Sequence, residues 1–184
     1  MIKAACIKDS QIEMIDEELV SEIRRKAHGY DQYSGCSQSV LLALQEGLEV
    51  GDRESFKAAT VLSGGVARRG ETCGALLGAL MGLGLVRGRE EIERTEDYVT
   101  AMGIANEICD DFQGRLEEEF GFDRPLESTL CAEIQTRIYG RSFDIRVPAE
   151  REAFLEAGGH SNEGCYKVCG IAAEIAARRL LSLR

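Results

Sequence analysis

Apolar residues recur at steps of three and four along most of the chain, the spacing that one buried face of an α-helix produces. No stretch shows sustained alternation of apolar and polar residues, which is typical of a half-buried strand. The helices that this pattern predicts cover about residues 11–27, 36–49, 53–62, 74–85, 90–120, 129–139, 148–157 and 164–184. The sequence therefore predicts an all-α fold, a single-domain helical bundle of about six to eight helices.

Local signals mark several of the predicted helix ends. Ser10 with Glu13 has the form of a capping box at the start of the first helix. Pro148 suits the first turn of a short helix, and Gly121 is a natural stop for the long helix before it. That long helix, with a kink near Gly114, should bury one continuous stripe: Ile92, Val99, Met102, Ala105, Cys109, Phe112, Leu116 and Phe120.

The helix that follows Cys73 carries a row of glycines at four-residue steps: Gly74, Gly78 and Gly82. Such a row leaves a flat groove that lets another backbone approach closely. Because each helical glycine costs roughly 1 kcal/mol against alanine, we expect something to occupy the groove. A neighbouring helix that brings Cys73 to other cysteines is one occupant, and a second copy of the chain in a homodimer is another.

Composition narrows the classes of function. The 184 residues favour one domain over residues 1–184, and 44% hydrophobic residues can form a substantial core. The formal net charge of −10 argues against nucleic acid and anionic membranes as partners. Residues 1–6 lack the apolar region of a secretory signal, and residues 74–86 are too short to span a bilayer, so we expect a cytoplasmic location.

Seven cysteines are the unusual feature of the composition. Four of them, Cys36, Cys73, Cys131 and Cys165, fall in or near the first turn of a predicted helix, on its apolar face. Helix N-termini favour thiolate over thiol, and the thiolate is the form that binds metal or attacks a disulfide. Cys169 lies one turn after Cys165 on the same face. We therefore expect these cysteines to converge on one site, whereas Cys109 suits a core position and Cys6 is incidental.

The spacing of the cysteines leaves several interpretations open. No Cys-x-x-Cys pair occurs, so the pattern differs from that of a zinc ribbon or knuckle. A structural zinc site in a helical interaction module remains an alternative, as do cysteines that are merely buried in the core. A dithiol pair such as Cys73 with Cys169 is a third possibility, cycling between thiols and a disulfide.

Two further features of the sequence suggest chemical roles, a histidine near Cys165 and a glycine-rich segment with two arginines. His160 precedes Cys165 closely enough to act as a ligand or proton carrier, although its position after two glycines is typical of an ordinary loop histidine. Residues 64–70 combine glycines with Arg68 and Arg69 and are able to cradle an anion. They lack the lysine and spacing of a phosphate loop, so a sharp bend before Cys73 is the simpler interpretation.

The chain resembles the C_GCAxxG_C_C family, which is named for its cysteine pattern. The matching residues are Gly35-Cys36-Ser37-Gln38-Ser39-Val40-Leu41, then Gly64-Gly65, and then Glu71-Thr72-Cys73-Gly74-Ala75-Leu76-Leu77-Gly78-Ala79. The resemblance spans about residues 30–177, and it is strongest around Cys73, where Thr72 stands directly before the cysteine in departure from the family pattern.

The resemblance implies a small helical protein with a redox role. The cysteines that it marks are Cys36, Cys73, Cys131 and Cys169, with Cys165 competing for the last place. A related domain in split-Soret cytochromes is associated with an iron–sulfur cluster, so the implied cofactor is such a cluster, held by these cysteines as catalytic and metal-binding residues. The cluster would serve electron transfer with a redox partner protein; the alternatives are a dithiol/disulfide couple, zinc, or no cofactor.

Overall fold

The structure is a computed structural model that describes the backbone of residues 4–183 and the side chains of residues 17–183. The described part contains eight α-helices and no strand, which confirms the predicted all-α fold. The helices are α1 Ala4–Tyr30, α2 Cys36–Leu48, α3 Arg53–Ala58, α4 Gly74–Arg87, α5 Thr95–Phe120, α6 Cys131–Tyr139, α7 Pro148–Glu156 and α8 Cys165–Leu181. Short 3-10 turns cover Asp31–Tyr33 and Ala59–Leu62.

Helix α8 lies at the centre of the bundle. It packs against α1, α2, α4 and α5, and its residues 168–177 are buried without a break. Four alanines in that stretch keep the helix thin, so that its neighbours reach it from several sides. Among the described residues, no helix is both long and apolar enough to cross a membrane.

The glycine row of α4 lies against α2. A Cβ atom added to Gly78 would stand 2.4 Å from the backbone oxygen of Ser37, and one added to Gly82 would stand 2.6 Å from Leu44 Cδ1. A Cβ on Gly74 would lie 2.5 Å from Cys36 Sγ. The groove is therefore filled by α2 of the same chain, and it brings Cys73 and Cys36 together. With its groove occupied, the row no longer argues for a homodimer.

This packing predicts opposite stability changes for two glycine-to-alanine substitutions. Gly78→Ala should destabilise the protein by about 1–3 kcal/mol, because the contact is with backbone and α2 and α4 would have to separate. Gly114→Ala should instead stabilise it by about 0.5–1 kcal/mol, because nothing lies within 4 Å of that helical site. Urea unfolding of both variants checks the two signs, and equal effects would contradict the packing described.

Two predicted helix starts, those of α5 and α1, are wrong. Helix α5 begins at Thr95 rather than near residue 90, and its helical residues continue through Gly114 to Phe120. Its first half is exposed, with Ile92 before it 68% exposed and Val99 66% exposed, because only the second half packs into the core. The buried residues of α5 are Ile108, Phe112 and Leu116. Cys109 is half-buried and packs beside them, as predicted.

Helix α1 begins before the predicted capping box, so Ser10 and Glu13 lie inside the helix. The predicted buried face of this helix is described only in part. Ile23 is fully buried and Leu19 packs against the core. The side chains of Cys6, Ile12 and Ile15 lie outside the described residues.

Candidate functional site

A cavity of about 400 Å³ opens among α2, α4, α6, α7 and α8. Five of the cysteines line it: Cys36, Cys73, Cys131, Cys165 and Cys169. The structure thus brings together every cysteine that the sequence marked as a site residue, while Cys109 lies elsewhere. All five are free thiols, and no disulfide joins any of the described cysteines.

Four of the cavity cysteines occupy helix N-termini, as the sequence predicts. Cys36, Cys131 and Cys165 are the first residues of α2, α6 and α8, and Cys73 is the N-cap of α4. No side chain caps any of these four N-termini. The caps predicted at residues 127–129 and 161–163 are therefore wrong. The first N–H group of α6 donates to Glu71 O and that of α8 donates to Gly159 O, so neither is available to the site.

A short backbone contact joins the two segments that carry Cys73 and Cys131. Cys73 N donates to Thr129 O at 2.9 Å, and Cys131 N donates to Glu71 O at 2.7 Å. Thr72 and Leu130 between them form an isolated antiparallel bridge. These bonds fix the starts of α4 and α6 side by side, so the two cysteines face the cavity from adjacent positions.

Three of the sulfur atoms have a hydrogen-bond donor close by, and a fourth lies near a hydroxyl. The N–H groups of Ser37 and Gly64 lower the pKa of Cys36, and those of Ala75 and Leu76 lower the pKa of Cys73, although burial outweighs both effects. The Gln135 amide donates to Cys131 Sγ at 3.5 Å. The Tyr139 hydroxyl lies 3.7 Å from Cys165 Sγ and lowers the pKa of that thiol. The donors near Cys36, Cys73 and Cys131 favour electron density on sulfur, whereas the Tyr139 hydroxyl also donates to Gly159 O at 3.2 Å.

Cys169 differs from the other four, because its neighbours are hydrogen-bond acceptors. Its thiol points at the backbone oxygen of Cys36 at 3.9 Å, and it interacts with the Asp31 carboxyl. The charge of Asp31 also raises the pKa of Cys169, after burial. The surroundings of Cys169 therefore favour a protonated thiol.

Burial decides the protonation state of all five thiols. It raises the pKa of Cys36 to about 12 and holds the pKa values of Cys131, Cys165 and Cys169 well above the ordinary thiol value. The prediction that the helix N-termini produce free thiolates is thus wrong. The N–H groups act in the predicted direction, but the loss of solvation in the cavity is larger.

Asp31 is a site residue that the sequence did not reveal. It is fully buried at the end of α1, it lines the cavity, and neither carboxyl oxygen has a hydrogen-bond partner among the described residues. Burial raises the pKa of Asp31 to about 7. The nearby Cys169 thiol and Ser39 hydroxyl act in the opposite direction, although neither forms a hydrogen bond with the carboxyl oxygens. A buried, unpartnered carboxyl in a cavity costs stability unless the site gives it a partner.

His160 belongs to the cavity wall rather than to an exposed loop. Its Nδ1 lies 3.8 Å from Asp31 Oδ2, and its ring packs edge-on against the rings of Phe154 and Tyr166. Burial lowers the pKa of His160, and together with the charges of Arg151 and Arg68 it outweighs a hydrogen bond with the Asp31 backbone, which raises that pKa. The interpretation as an ordinary loop histidine is therefore incomplete.

The glycine-rich segment before Cys73 is a tight left-handed coil. Five successive residues, 64–68, have φ between 51° and 67°. The N–H groups of residues 66–71 donate to backbone oxygens of residues 61–66, so they cannot cradle an anion as one interpretation proposed. The sharp bend that the sequence predicts before Cys73 is confirmed. Three of the residues are not glycine, and each costs roughly 1–2 kcal/mol in this conformation.

The five cavity cysteines suit an iron–sulfur cluster better than a single metal ion. Thiolates are the ligands that iron–sulfur clusters take, usually four of them. Among the described residues, no three His, Cys, Asp or Glu side chains approach closely enough to hold one metal ion. The thiols instead surround an open volume. That arrangement suits a group of several atoms better than a single tetrahedral ion.

Comparison with known proteins gives one match. Neither a curated protein nor a solved structure matches the chain. A family model described as "Putative redox-active protein (C_GCAxxG_C_C)" matches residues 34–179, which include all five cavity cysteines and most of the chain. The chain therefore belongs to the C_GCAxxG_C_C family.

Proposed function

We propose that the protein is an electron carrier whose cavity holds an iron–sulfur cluster. The observation that carries the proposal is the convergence of four helix N-termini, each with a cysteine, on one cavity, where three of the sulfurs have a hydrogen-bond donor close by. When bound, the cluster supplies one-electron chemistry. The chain binds it, surrounds it with apolar side chains and sets its potential through those donors.

The burial of the thiols favours metal binding over dithiol chemistry. Thiol–disulfide exchange needs a thiolate, and the raised pKa values leave little thiolate near neutral pH. A metal cation at the centre of the cavity would deprotonate the same thiols and compensate their charge. The pair Cys73 and Cys169 named by the dithiol alternative therefore has no feature that favours it.

The alternative of a structural zinc site has less support than a cluster. One zinc ion draws four ligands to a single point about 2.3 Å from each sulfur. The described side chains do not meet at such a point. Zinc would require the four helix starts to move inward, whereas a larger group fits the separated thiols as they stand.

We propose Cys36, Cys73, Cys131 and Cys165 as the four ligands. Cys165 is preferred to Cys169 because, like the other three, it lies at a helix start, and the Tyr139 hydroxyl 3.7 Å from its sulfur lowers the pKa of the thiol. Cys169 faces Asp31 and a backbone oxygen, which stabilise a protonated thiol. In this proposal Cys169 stays protonated beside the cluster and interacts with Asp31.

Anaerobic reconstitution tests the proposed function. The reduced chain is incubated with ferrous iron and sulfide, desalted, and analysed for iron, sulfide and visible absorption on one sample. We expect brown protein with iron and sulfide in equal amounts. The same chain incubated with zinc alone is the matched control, and colourless protein that retains zinc but no iron would support the structural alternative instead.

Two serine variants distinguish the candidates for the fourth ligand. Cys165→Ser should lower the iron retained after desalting by more than about tenfold, since weakening of the surrounding hydrogen bonds alone typically costs about 10–100-fold. Cys169→Ser should retain iron and change the absorption spectrum only slightly. The reverse result would identify Cys169 as the ligand and leave the cluster proposal intact.

A further inference from the structure

The mouth of the cavity carries a positive charge that the cysteine chemistry does not explain. Arg68 and Arg151 both line the cavity, and both are exposed at its outer end. Asp31, at the inner end, is the one acidic residue among those that line it. This concentration of positive charge stands out in a chain with a formal net charge of −10.

Neither arginine has an acidic partner among the described residues. The arginines that form ion pairs are Arg24, Arg94, Arg115, Arg137, Arg141, Arg146, Arg178 and Arg179. Among the described residues, Arg68 and Arg151 take part in no ion pair or side-chain hydrogen bond, although the chain has 32 acidic residues. The positive charges of Arg151 and Arg68 both lower the pKa of His160 in the cavity wall.

The backbone that presents Arg68 is held in a strained conformation. Arg68 has φ 63°, and Val66 and Ala67 before it have φ 51° and 52°. The coil is closed by backbone hydrogen bonds, including Arg68 N to Ser63 O at 3.1 Å. Strain of this kind persists where the surrounding structure holds it, and it occurs often at ligand sites. It fixes Arg68 at the rim of the cavity.

We propose that the outer part of the cavity binds a small organic anion, with its carboxylate or phosphate group held by Arg68 and Arg151. Guanidinium groups match the geometry of both anions. Val61 and Leu155, which also line the cavity and are exposed, offer apolar contact to the rest of the molecule. A volume of about 400 Å³ lies within the range of small-molecule sites, so the occupant is a small molecule rather than the surface of a protein.

The inference goes beyond the proposed electron carrier, because it concerns a ligand that reaches the thiols. It predicts an enzyme-like site in which an anionic molecule is oriented by two arginines toward the cysteines. The binding step requires no metal, so it is tested on reduced, metal-free full-length protein. Its failure would leave the iron proposal untouched, and failure of iron binding would leave this proposal standing.

Charged thiol reagents of similar size test the proposal. The anionic probe is 2-sulfonatoethyl methanethiosulfonate, and the cationic probe is its 2-trimethylammonioethyl counterpart. Each forms a mixed disulfide with a cysteine thiolate and releases methanesulfinate. Peptide mass spectrometry gives the rate at each cysteine, with Cys109, outside the cavity, as the internal reference. The quantity compared is the anionic-to-cationic rate ratio.

We expect the rate ratio at the cavity cysteines to exceed that at Cys109 by about tenfold, the lower end of electrostatic enhancement in charged clefts. The double variant Arg68→Gln with Arg151→Gln should remove this preference. The matched control is Arg25→Gln with Arg53→Gln, which removes the same charge from two exposed arginines that do not line the cavity. The control should keep the preference.

Inorganic phosphate provides a second measurement, because it competes with the anionic reagent for the arginines without reacting with the thiols. Excess phosphate should slow the anionic reagent in the wild type and leave the rate unchanged in the Arg68 and Arg151 double variant. The proposal is overturned if the double variant keeps the wild-type ratio, if the control loses it equally, or if phosphate slows the double variant as much as the wild type.

Discussion

Replacing Cys73 by serine is expected to abolish cluster assembly while the metal-free protein stays folded. Cys73 is the N-cap residue of α4 and lies beside Cys36. The N–H groups of Ala75 and Leu76 lie close to its sulfur. Serine keeps the shape of the side chain but is a poor ligand for iron. Iron retained after anaerobic reconstitution should therefore fall by more than about tenfold. Loss of the hydrogen bonds around a metal's ligands already costs about 10–100-fold in metal affinity, and loss of a ligand itself should cost at least as much.

Cys109→Ser is the matched control for this prediction. Cys109 is a half-buried cysteine on α5 that does not line the cavity. The variant should bind as much iron as the wild type, and both variants should give the same circular dichroism spectrum before iron is added. Undiminished iron in Cys73→Ser would show that the cavity does not assemble a cluster in the proposed way.

Removing the Asp31 carboxylate should make the metal-free protein more stable at pH 8 and nearly unchanged in stability near pH 4. Burial raises the pKa of Asp31 from 3.8 to about 7. The folded state thus holds a proton that the unfolded state has already released between these values, so stability falls as the pH rises through this window. The loss amounts to at most roughly 4 kcal/mol.

Urea unfolding of wild type and Asp31→Asn from pH 4 to pH 8 measures this effect. The stability of the wild type should decline across the window more steeply than that of the variant. The exposed Asp110→Asn serves as the control and should follow the wild type. Parallel curves for the wild type and Asp31→Asn would contradict the buried position of the carboxyl.

The helical fold and the starts of the cysteine helices were predictable because their signals are local. Periodic apolar residues, a proline at position 148 and glycine stops act within one or two turns of the helix that they define. The same locality made Cys36, Cys73, Cys131 and Cys165 recognisable as residues at helix starts. Their inward faces then implied a common centre, which the cavity provides.

The features that sequence reasoning missed depend on tertiary burial. Asp31 directly follows α1, in a Tyr-Asp pair that is as typical of an exposed turn as of a buried one. The free thiolates expected at the helix starts do not form, because the cavity removes the thiols from water. The periodic stripe of α5 continues through Val99 and Met102, but no helix of the described chain covers that end.

The backbone conformation of residues 64–70 was also predicted only in part. The glycines predicted a bend, but they did not predict that Val66, Ala67 and Arg68 would adopt left-handed conformations as well. Such conformations are unfavourable locally and are stabilised here by backbone hydrogen bonds within the coil. Local propensity therefore could not predict that Arg68 lines the cavity.

The most direct test of the central claim is native mass spectrometry of the full-length protein isolated without oxygen. We predict a mass that exceeds that of the chain by several iron and sulfide ions together, and an excess that is lost in Cys73→Ser but kept in Cys109→Ser. A chain that carries a single metal ion, or one that carries none and shows the mass loss of a disulfide, would contradict the proposal that the five-cysteine cavity holds an iron–sulfur cluster.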